Sequence, residues 1–479
     1  MALGPTGRRD EPVESVTDYR RRLEDITLEP VITTSRGYWF LIAGLLAIIA
    51  WGIYAWTIQL NDGLVVTGMR DRISWGLYIS VFVFFIGISH AGTLISAILR
   101  VTNAGWRAPI TRIAEFITVV ALICGASMIV VDMGRPDRLL NVLVHGRWQS
   151  PILWDVIAIS TYLTASLVYL YLPMVPDLAL FRDRLTGRVG GWRTRLYEIL
   201  AIGWRDLPEQ RRPLLRAIGI LMILIIPIAV SVHTVVSWIF GMTLRVGWNS
   251  TIFGLLFVAG AIFSGIATLV IIMAVLRKVY HLEEYLTEKH FVNLGYLLAA
   301  FTLIMMYINA SEYLTKGFKL EEGEEFLFQQ LFLGQFAGLY WFYFIGGLLI
   351  PGMLILIKRT RTIAGVVTAA VLVDLAMFSE RYFIVISGMR VPLMPYEPFD
   401  YTPTLVEWSI FAAGVAFFVL LIALFVKVIP IMAVWEVVEE RERTGDIVDD
   451  LVAGATPGAA FDRGDDRYRS REPPDRGPS

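Results

Sequence analysis

The chain alternates long apolar stretches with short polar ones. Ten apolar stretches run to about twenty residues or more, near 38–58, 73–99, 109–131, 152–172, 215–240, 252–276, 291–314, 332–357, 363–387 and 405–430. A bilayer core of roughly 30 Å is crossed by about 20 helical residues, so each stretch can span it. None alternates polar and apolar positions as a barrel strand must. Pro227, Gly346, Gly347 and Pro351 fall inside these stretches, where neighbouring helices can satisfy an interrupted backbone ladder. The pattern predicts an all-α, polytopic membrane protein with about ten transmembrane helices.

Composition agrees. The 479 residues are 56% hydrophobic and 18% charged, with a mean hydropathy of +0.60; soluble domains average about 25% charged residues. The net charge of −1 supplies no global field for nucleic acid, so no nucleic-acid partner is expected. The single cysteine, Cys124, excludes an internal disulfide, a Cys-ligated iron–sulfur cluster or a Cys-rich zinc site within this chain. No metal site is expected, and no Walker, dinucleotide-glycine or HExxH motif occurs. Residues 1–37 are polar and lack a signal-peptide core, so the first span is expected to be its own insertion signal. No lipidation motif is present.

Loop charge sets the expected orientation. The 173–216 connection carries nine arginines, from Arg182 to Arg216, and 358–362 reads Lys-Arg-Thr-Arg-Thr. Both fall on the side of the N-terminus and the 277–290 loop. The opposite loops are poorer in Lys and Arg, and 315–331 holds Glu321, Glu322, Glu324 and Glu325. Both termini are therefore expected in the cytoplasm, with 132–154 on the periplasmic face of a bacterial inner membrane. From about 443 the tail is rich in Arg, Asp, Gly and Pro, too polar to fold alone. The expected division is a cytoplasmic segment 1–37, a transmembrane domain 38–430, and a largely disordered cytoplasmic tail 431–479.

An internal repeat refines this division. Trp75 to Gly92 and Trp248 to Gly265 align without gaps and share Trp, Ile, Phe and two Gly, five of eighteen positions. An even number of spans separates the copies, so they point the same way. The reading is two parallel four-helix bundles, spans two to five (73–240) and six to nine (252–387), flanked by the first span and loop (38–72) and the last span (405–430). The first copy has His90 where the second has Phe263, which places the chemistry in the first bundle.

Several polar residues lie where hydrocarbon makes them costly. His90 is inside span two, beside Ala91 and Gly92. Asp132 and Arg135 end span three, and His145, Trp148, Ser150, Pro151, Trp154 and Asp155 lead into span four. Their plainer readings are a histidine bonded to a helix carbonyl, a helix-end salt bridge, and an interfacial aromatic belt. A buried carboxylate beside a histidine can instead accept and pass protons near neutral pH. Glu115, His233, Asp374 and Glu380 are further intramembrane polar groups able to relay protons. Arg112 and Glu115 equally suit an i,i+3 pair, and Glu380 with Arg381 a helix end. His90 and His233 are the one clear intramembrane histidine pair, with His281 and His290 assigned to a loop; a single haem is therefore a rival, but a di-haem pattern is not.

Asp132-Met133-Gly134-Arg135-Pro136-Asp137-Arg138 resembles the Asp-x-Gly-Arg-Pro signature of the NrfD/polysulfide-reductase family of membrane subunits. Trp75 with Ser89-His90-Ala91-Gly92, and Ser150-Pro151-x-Leu153-Trp154-Asp155, fit the same family. The resemblance covers roughly residues 36–430 and, with ten spans, the chain looks most like the larger quinol subunit of bacterial alternative complex III. The resemblance implies a quinol-oxidising subunit with no haem or iron–sulfur cluster of its own, with menaquinol as the expected quinol. It implies an iron–sulfur partner on the periplasmic side, a second NrfD-like membrane subunit, cytochrome c subunits, proton release and proton conduction. By that resemblance His90, Asp132, His145 and Asp155 accept protons or bond the quinol head group. Arg135, Trp148, Ser150, Pro151 and Trp154 would line its pocket, and Glu115, His233, Asp374 and Glu380 a proton pathway.

Two other classes compete. A secondary transporter or proton channel would use the parallel repeats and buried charges without redox chemistry. A structural anchor would tolerate changes at Asp155 and His90.

Overall fold

Hydrocarbon offers the backbone no hydrogen bonds, so a spanning segment must satisfy its own. In a computed structural model, which describes residues 16–102, 104–394 and 397–442, the chain meets that demand with helices. Ten are long and apolar enough to cross a membrane: Arg36–Asp62, Leu77–Val101, Ala108–Asp132, Pro151–Leu185, Pro208–Gly241, Phe253–Val279, Glu288–Lys319, Ala337–Leu356, Ile363–Arg390 and Leu405–Val428, here spans one to ten. Among the described residues the only bridge is an isolated one between Arg70 and Ile73. The all-α class and the ten spans expected from the sequence are present.

Several boundaries differ for local reasons. Span four continues past the apolar stretch into a helix over Val175–Leu185, and a further helix, Gly191–Leu200, follows. Its arginines mark this segment as a loop, yet Leu178, Phe181, Leu185 and Tyr197 are fully buried against Leu28, Val31 and Phe425. Span five starts early, at Pro208, where a proline without N–H suits the first helical turn. His290 is not in a loop: it sits in the first turn of span seven, where its Nδ1 accepts from Thr287 N at 3.1 Å. The acidic 315–331 segment contains a helix, Glu324–Phe332.

Spans two, three, four and five pack in a ring, each against the next and five against two. Spans six, seven, eight and nine pack likewise, with nine closing on six. The two rings meet where spans six and nine lie against span two, and span six against span five. Span one pairs with span ten, which leans on spans two and three. The repeat tryptophans meet at this junction: Trp75 and Trp248 stack with centroids 5.7 Å apart and 21° between planes. Span eight is α-helical over Ala337–Trp341, widens to a π-helix over Phe342–Leu349 and tightens again over Ile350–Leu356. Pro351 follows the widened turn and has no N–H for an ordinary ladder.

The described residues between 25 and 433 form one compact unit; 16–24 with 434–442 belong to another. Within the second, Arg441 lies 4.0 Å over the Tyr19 ring, and residues 434–442 are helical rather than part of a disordered tail. The disorder expected from 443 onwards concerns residues outside those described.

Spans two and three cross at Gly92, where a Cβ would come 1.8 Å from Ala114 O and 2.2 Å from Thr118 Oγ1. Backbone cannot yield as a side-chain tip can. Gly92→Val is expected to destabilise the purified chain by about 2 kcal/mol or more, read as a lower thermal unfolding midpoint. Gly44→Ala, with nothing within 4 Å of its added carbon, should leave the midpoint unmoved. Equal midpoints for both variants would contradict this packing.

Candidate functional site

Span four buries Leu153, Asp155, Ile159, Tyr162, Ser166, Tyr169 and Leu170 on one stripe. Asp155, Tyr162 and Tyr169 repeat every seven residues. They therefore stack down one face at steps of about 10.5 Å. Span two answers with adjacent Ser89 and His90, then Thr93, Ser96 and Arg100 at steps of three or four, all buried. The two stripes interlock. The Tyr162 hydroxyl lies 3.0 Å from Ser89 O and 3.1 Å from Thr93 Oγ1. Thr93 donates to Thr118 Oγ1 at 3.0 Å, and Thr118 to Ser89 O at 2.8 Å. One turn further, Ser96 and Arg100 donate to Glu115 Oε1 at 2.6 Å and 3.0 Å, with the Tyr169 hydroxyl 3.3 Å from Ser96. Two buried polar clusters thus follow each other along the first ring, around Tyr162 and then around Glu115 towards the arginine-rich end, with Asp155 two turns before Tyr162 on the same face; together they are the polar seam.

His90 sits midway. Its ring is 5.1 Å from Tyr162 and 3.7 Å from His233 of span five, between centroids. Its Nδ1 lies 3.3 Å from Ile86 O and its Nε2 is bonded to Ala229 O. A neutral imidazole can donate to one of these carbonyls; a doubly protonated one donates to both. The His90 and His233 rings touch, which leaves no room for a porphyrin plane between them, so the single-haem rival does not fit this pair.

Arg381 of span nine lies close enough to His233 to act on it electrostatically. Its guanidinium stands 4.8 Å over Phe257 and 3.0 Å from Glu380 Oε2. Gly260 makes that possible, since a Cβ there would meet Arg381 Nη2 at 2.4 Å. The seam therefore crosses into the second ring at the bundle junction. Asp374 is apart from it, accepting from Thr268 Oγ1 at 2.8 Å within the second ring.

At the other end two carboxylates keep an unbonded oxygen in buried surroundings: Asp155 Oδ1 and Asp132 Oδ1. Asp132 ends span three, and its field is shared with Glu407 of span ten. Around it, Gln59 donates to Val131 O at 2.8 Å and accepts from the Tyr78 hydroxyl at 2.7 Å. Glu407 is fully buried, accepting from Tyr401 and from Gly68 N at 2.7 Å. Tyr401 in turn accepts from Leu77 N at 2.7 Å. Burial and the adjacent Glu407 raise the Tyr401 phenol above its usual value, so it remains a donor.

The other predicted residues separate from this core. His145 is exposed and Trp148 is 75% exposed. Gly134 takes a φ of +64°, and beyond it Arg135 faces solvent, bonding Asp137 through Nε and Nη2 at 2.9 Å each. Those bonds hold the Asp137 carboxyl below its usual range. Trp154, half-buried, donates to Trp148 O at 2.5 Å, beside half-buried Ser150 and Pro151. The i,i+3 pairing of Arg112 with Glu115 does not form. Arg112 reaches Asp177 at 2.6 Å and Pro173 O at 2.9 Å, while Glu115 pairs with Arg100. Residue 177 lies in the segment that reads as a loop, so its helix was needed to bring it there.

Sequence reasoning missed Thr93, Ser96, Tyr162 and Tyr169, although Thr93 and Ser96 follow His90 in steps of three and Tyr162 and Tyr169 follow Asp155 in steps of seven, which marks one helical face. Gln59, Tyr78, Tyr401 and Glu407 carry no such local signal.

A family model described as polysulphide reductase, NrfD, matches residues 65–392. Three curated relatives align over most of their lengths. A selenate reductase subunit of Mesobacillus selenatarsenatis is 26% identical, over 82% of this chain and 94% of the relative. The Hdr-like menaquinol oxidoreductase integral membrane subunit of Archaeoglobus fulgidus is 26% identical, over 84% and 96%. The menaquinone reductase integral membrane subunit of Nitratidesulfovibrio vulgaris is 23% identical, over 80% and 88%.

The burial pattern can be read chemically. In the detergent-solubilised chain, diethyl pyrocarbonate should modify exposed His145 and His281 while His90 and His233, 0% and 1% exposed, stay protected until unfolding. Peptide mass spectrometry reads this directly, and early modification of His90 would contradict the seam.

Proposed function

The chain belongs to the NrfD polysulphide reductase family, and from that premise we propose that it is the membrane subunit through which a multi-subunit oxidoreductase oxidises quinol. The selenate, menaquinol and menaquinone relatives differ in the activity they are named for. What a membrane-embedded subunit of each can share is exchange with the quinone pool, and menaquinol is the substrate proposed here. One observation carries the reading: Asp155 is 6% exposed, one of its carboxyl oxygens has no partner, and it lies on the buried face of span four that also carries Tyr162. A quinol supplies two electrons and two protons. Asp155 Oδ1 is placed to take a proton from a hydroxyl, and Asp132 Oδ1 is the second candidate acceptor. Trp154, Ser150 and Pro151 would bound the head-group pocket. His90 would hold a proton behind it, bonded to Ala229 O. Arg135, Trp148 and His145, being at the surface, suit the rim of the pocket or contact with a partner.

With one cysteine the chain cannot ligate a Cys-bound cluster, so the electrons go to a partner, proposed as an iron–sulfur protein on the face opposite the arginine-rich loops. Positive-inside charge makes that face periplasmic and puts both termini in the cytoplasm of a bacterial inner membrane. Ten spans favour an assembly like alternative complex III, with a second NrfD-like subunit and cytochrome c subunits. Proton conduction is a second reading, favoured by the run of buried polar groups from His90 to Glu115 and by His233, Arg381 and Glu380 at the bundle junction. Asp374 would act separately in the second ring.

Asp155→Asn in the native complex should lower menaquinol oxidation about 100-fold or more with the complex mass unchanged, and His145→Ala should stay close to wild type. Full turnover in Asp155→Asn would move the quinol site elsewhere.

A further inference from the structure

At the arginine-rich end, the segment between the helix Val16–Ile32 and span one meets the last turns of spans six and ten. A groove of about 540 Å³ lies between them. Its long walls are apolar and turned outward: Leu41, Val275, Val279 and Val419 are 48%, 55%, 58% and 37% exposed. Its inner end is polar and built around Lys427. That side chain is 7% exposed, and its ammonium donates to Pro30 O and Thr33 O at 2.7 Å each, 4.8 Å from the Tyr38 ring centroid. An ammonium has three N–H bonds, so one remains. Both acceptors are neutral, and among the described residues no carboxylate pairs with Lys427; Glu29 lies on the groove's exposed rim. Arg193 adds a second positive charge nearby. The N-terminus of span one opens beside it: Ser35 caps Tyr38 N at 3.2 Å, and the first-turn amides add positive dipole.

A buried cation without a counter-charge, at the edge of hydrocarbon, is costly unless something anionic joins it. A quinone is neutral and would leave the ammonium unneutralised. A soluble anion would leave the apolar walls open. Both features are met together by a lipid with a charged phosphate. We propose that this groove holds one anionic phospholipid, its phosphate at Lys427 and the span-one N-terminus, its acyl chains along Leu41, Val275, Val279 and Val419. The lipid ties the first helix, span one and span ten to span six at one membrane face.

The test uses the full chain in its native complex, with bound lipid counted by native mass spectrometry. After delipidation the complex is titrated with phosphatidylglycerol, phosphatidylcholine or inorganic phosphate. One phosphatidylglycerol per chain should bind, with a preference of about tenfold or more over phosphatidylcholine, and inorganic phosphate should not bind. Lys427→Gln removes the charge, and Val279→Trp fills the apolar half while leaving Lys427 in place. Each should cut phosphatidylglycerol retention about tenfold. If Lys427→Gln does not fold, judged by its unfolding midpoint, Val279→Trp decides alone. Equal retention of the two lipids, unchanged retention in the folded variants, or a wild-type complex that takes up no lipid would overturn the proposal; the last would make the groove a protein interface.

Discussion

A polar side chain carried into a membrane helix finds no water there, so the chain must supply its partner. Nearly every ionic group inside these spans is met in this way. Arg112 holds Asp177, Arg100 holds Glu115, Arg381 holds Glu380, and Lys316 holds Glu312. The first two pairs join different helices, and Arg112 with Asp177 ties the arginine-rich connection back to the bundle; the last two lie within one helix each. Asp132, Asp155 and Asp374 break the pattern: among the described residues no cation pairs with them, and each keeps an unbonded oxygen. In hydrocarbon such an exception persists only if a bound molecule or a proton completes it.

The repeat shows how two similar bundles diverge. Trp75 and Trp248 stack on each other at the junction. Below them, His90 occupies the place that Phe263 holds in the second copy. The substitution turns one apolar core position into a polar one, flanked by Tyr162 and His233. Gly260 in the second copy leaves room for Arg381 to approach the same junction. The two bundles therefore share one polar interior.

Much of the scaffold was legible because apolar length alone decides where a chain can cross a bilayer. All ten spans and the special position of His90 followed from that and from the repeat. The candidate site was less legible. Residues 132–154 read as one cluster, but the positive φ of Gly134 sends Arg135 to the surface, and His145 and Trp148 are exposed with it. Serine, threonine and tyrosine make most of the seam, and their mild polarity does not interrupt an apolar stretch. Glu407 and Tyr401 were invisible to local reading because they meet Gly68 and Leu77, more than three hundred residues away. Arg112 looked paired with its helical neighbour because its true partner sits in what composition marks as a loop.

The quinol site proposed at the Asp132–Asp155 end of the first bundle can be mapped covalently. The most direct measurement is photo-crosslinking of the native complex with an azido-menaquinone, followed by peptide mapping. The account predicts label on peptides covering the end of span three or the start of span four, displaced by excess menaquinone. Displaceable label confined to spans six to nine, or to partner subunits alone, would contradict it.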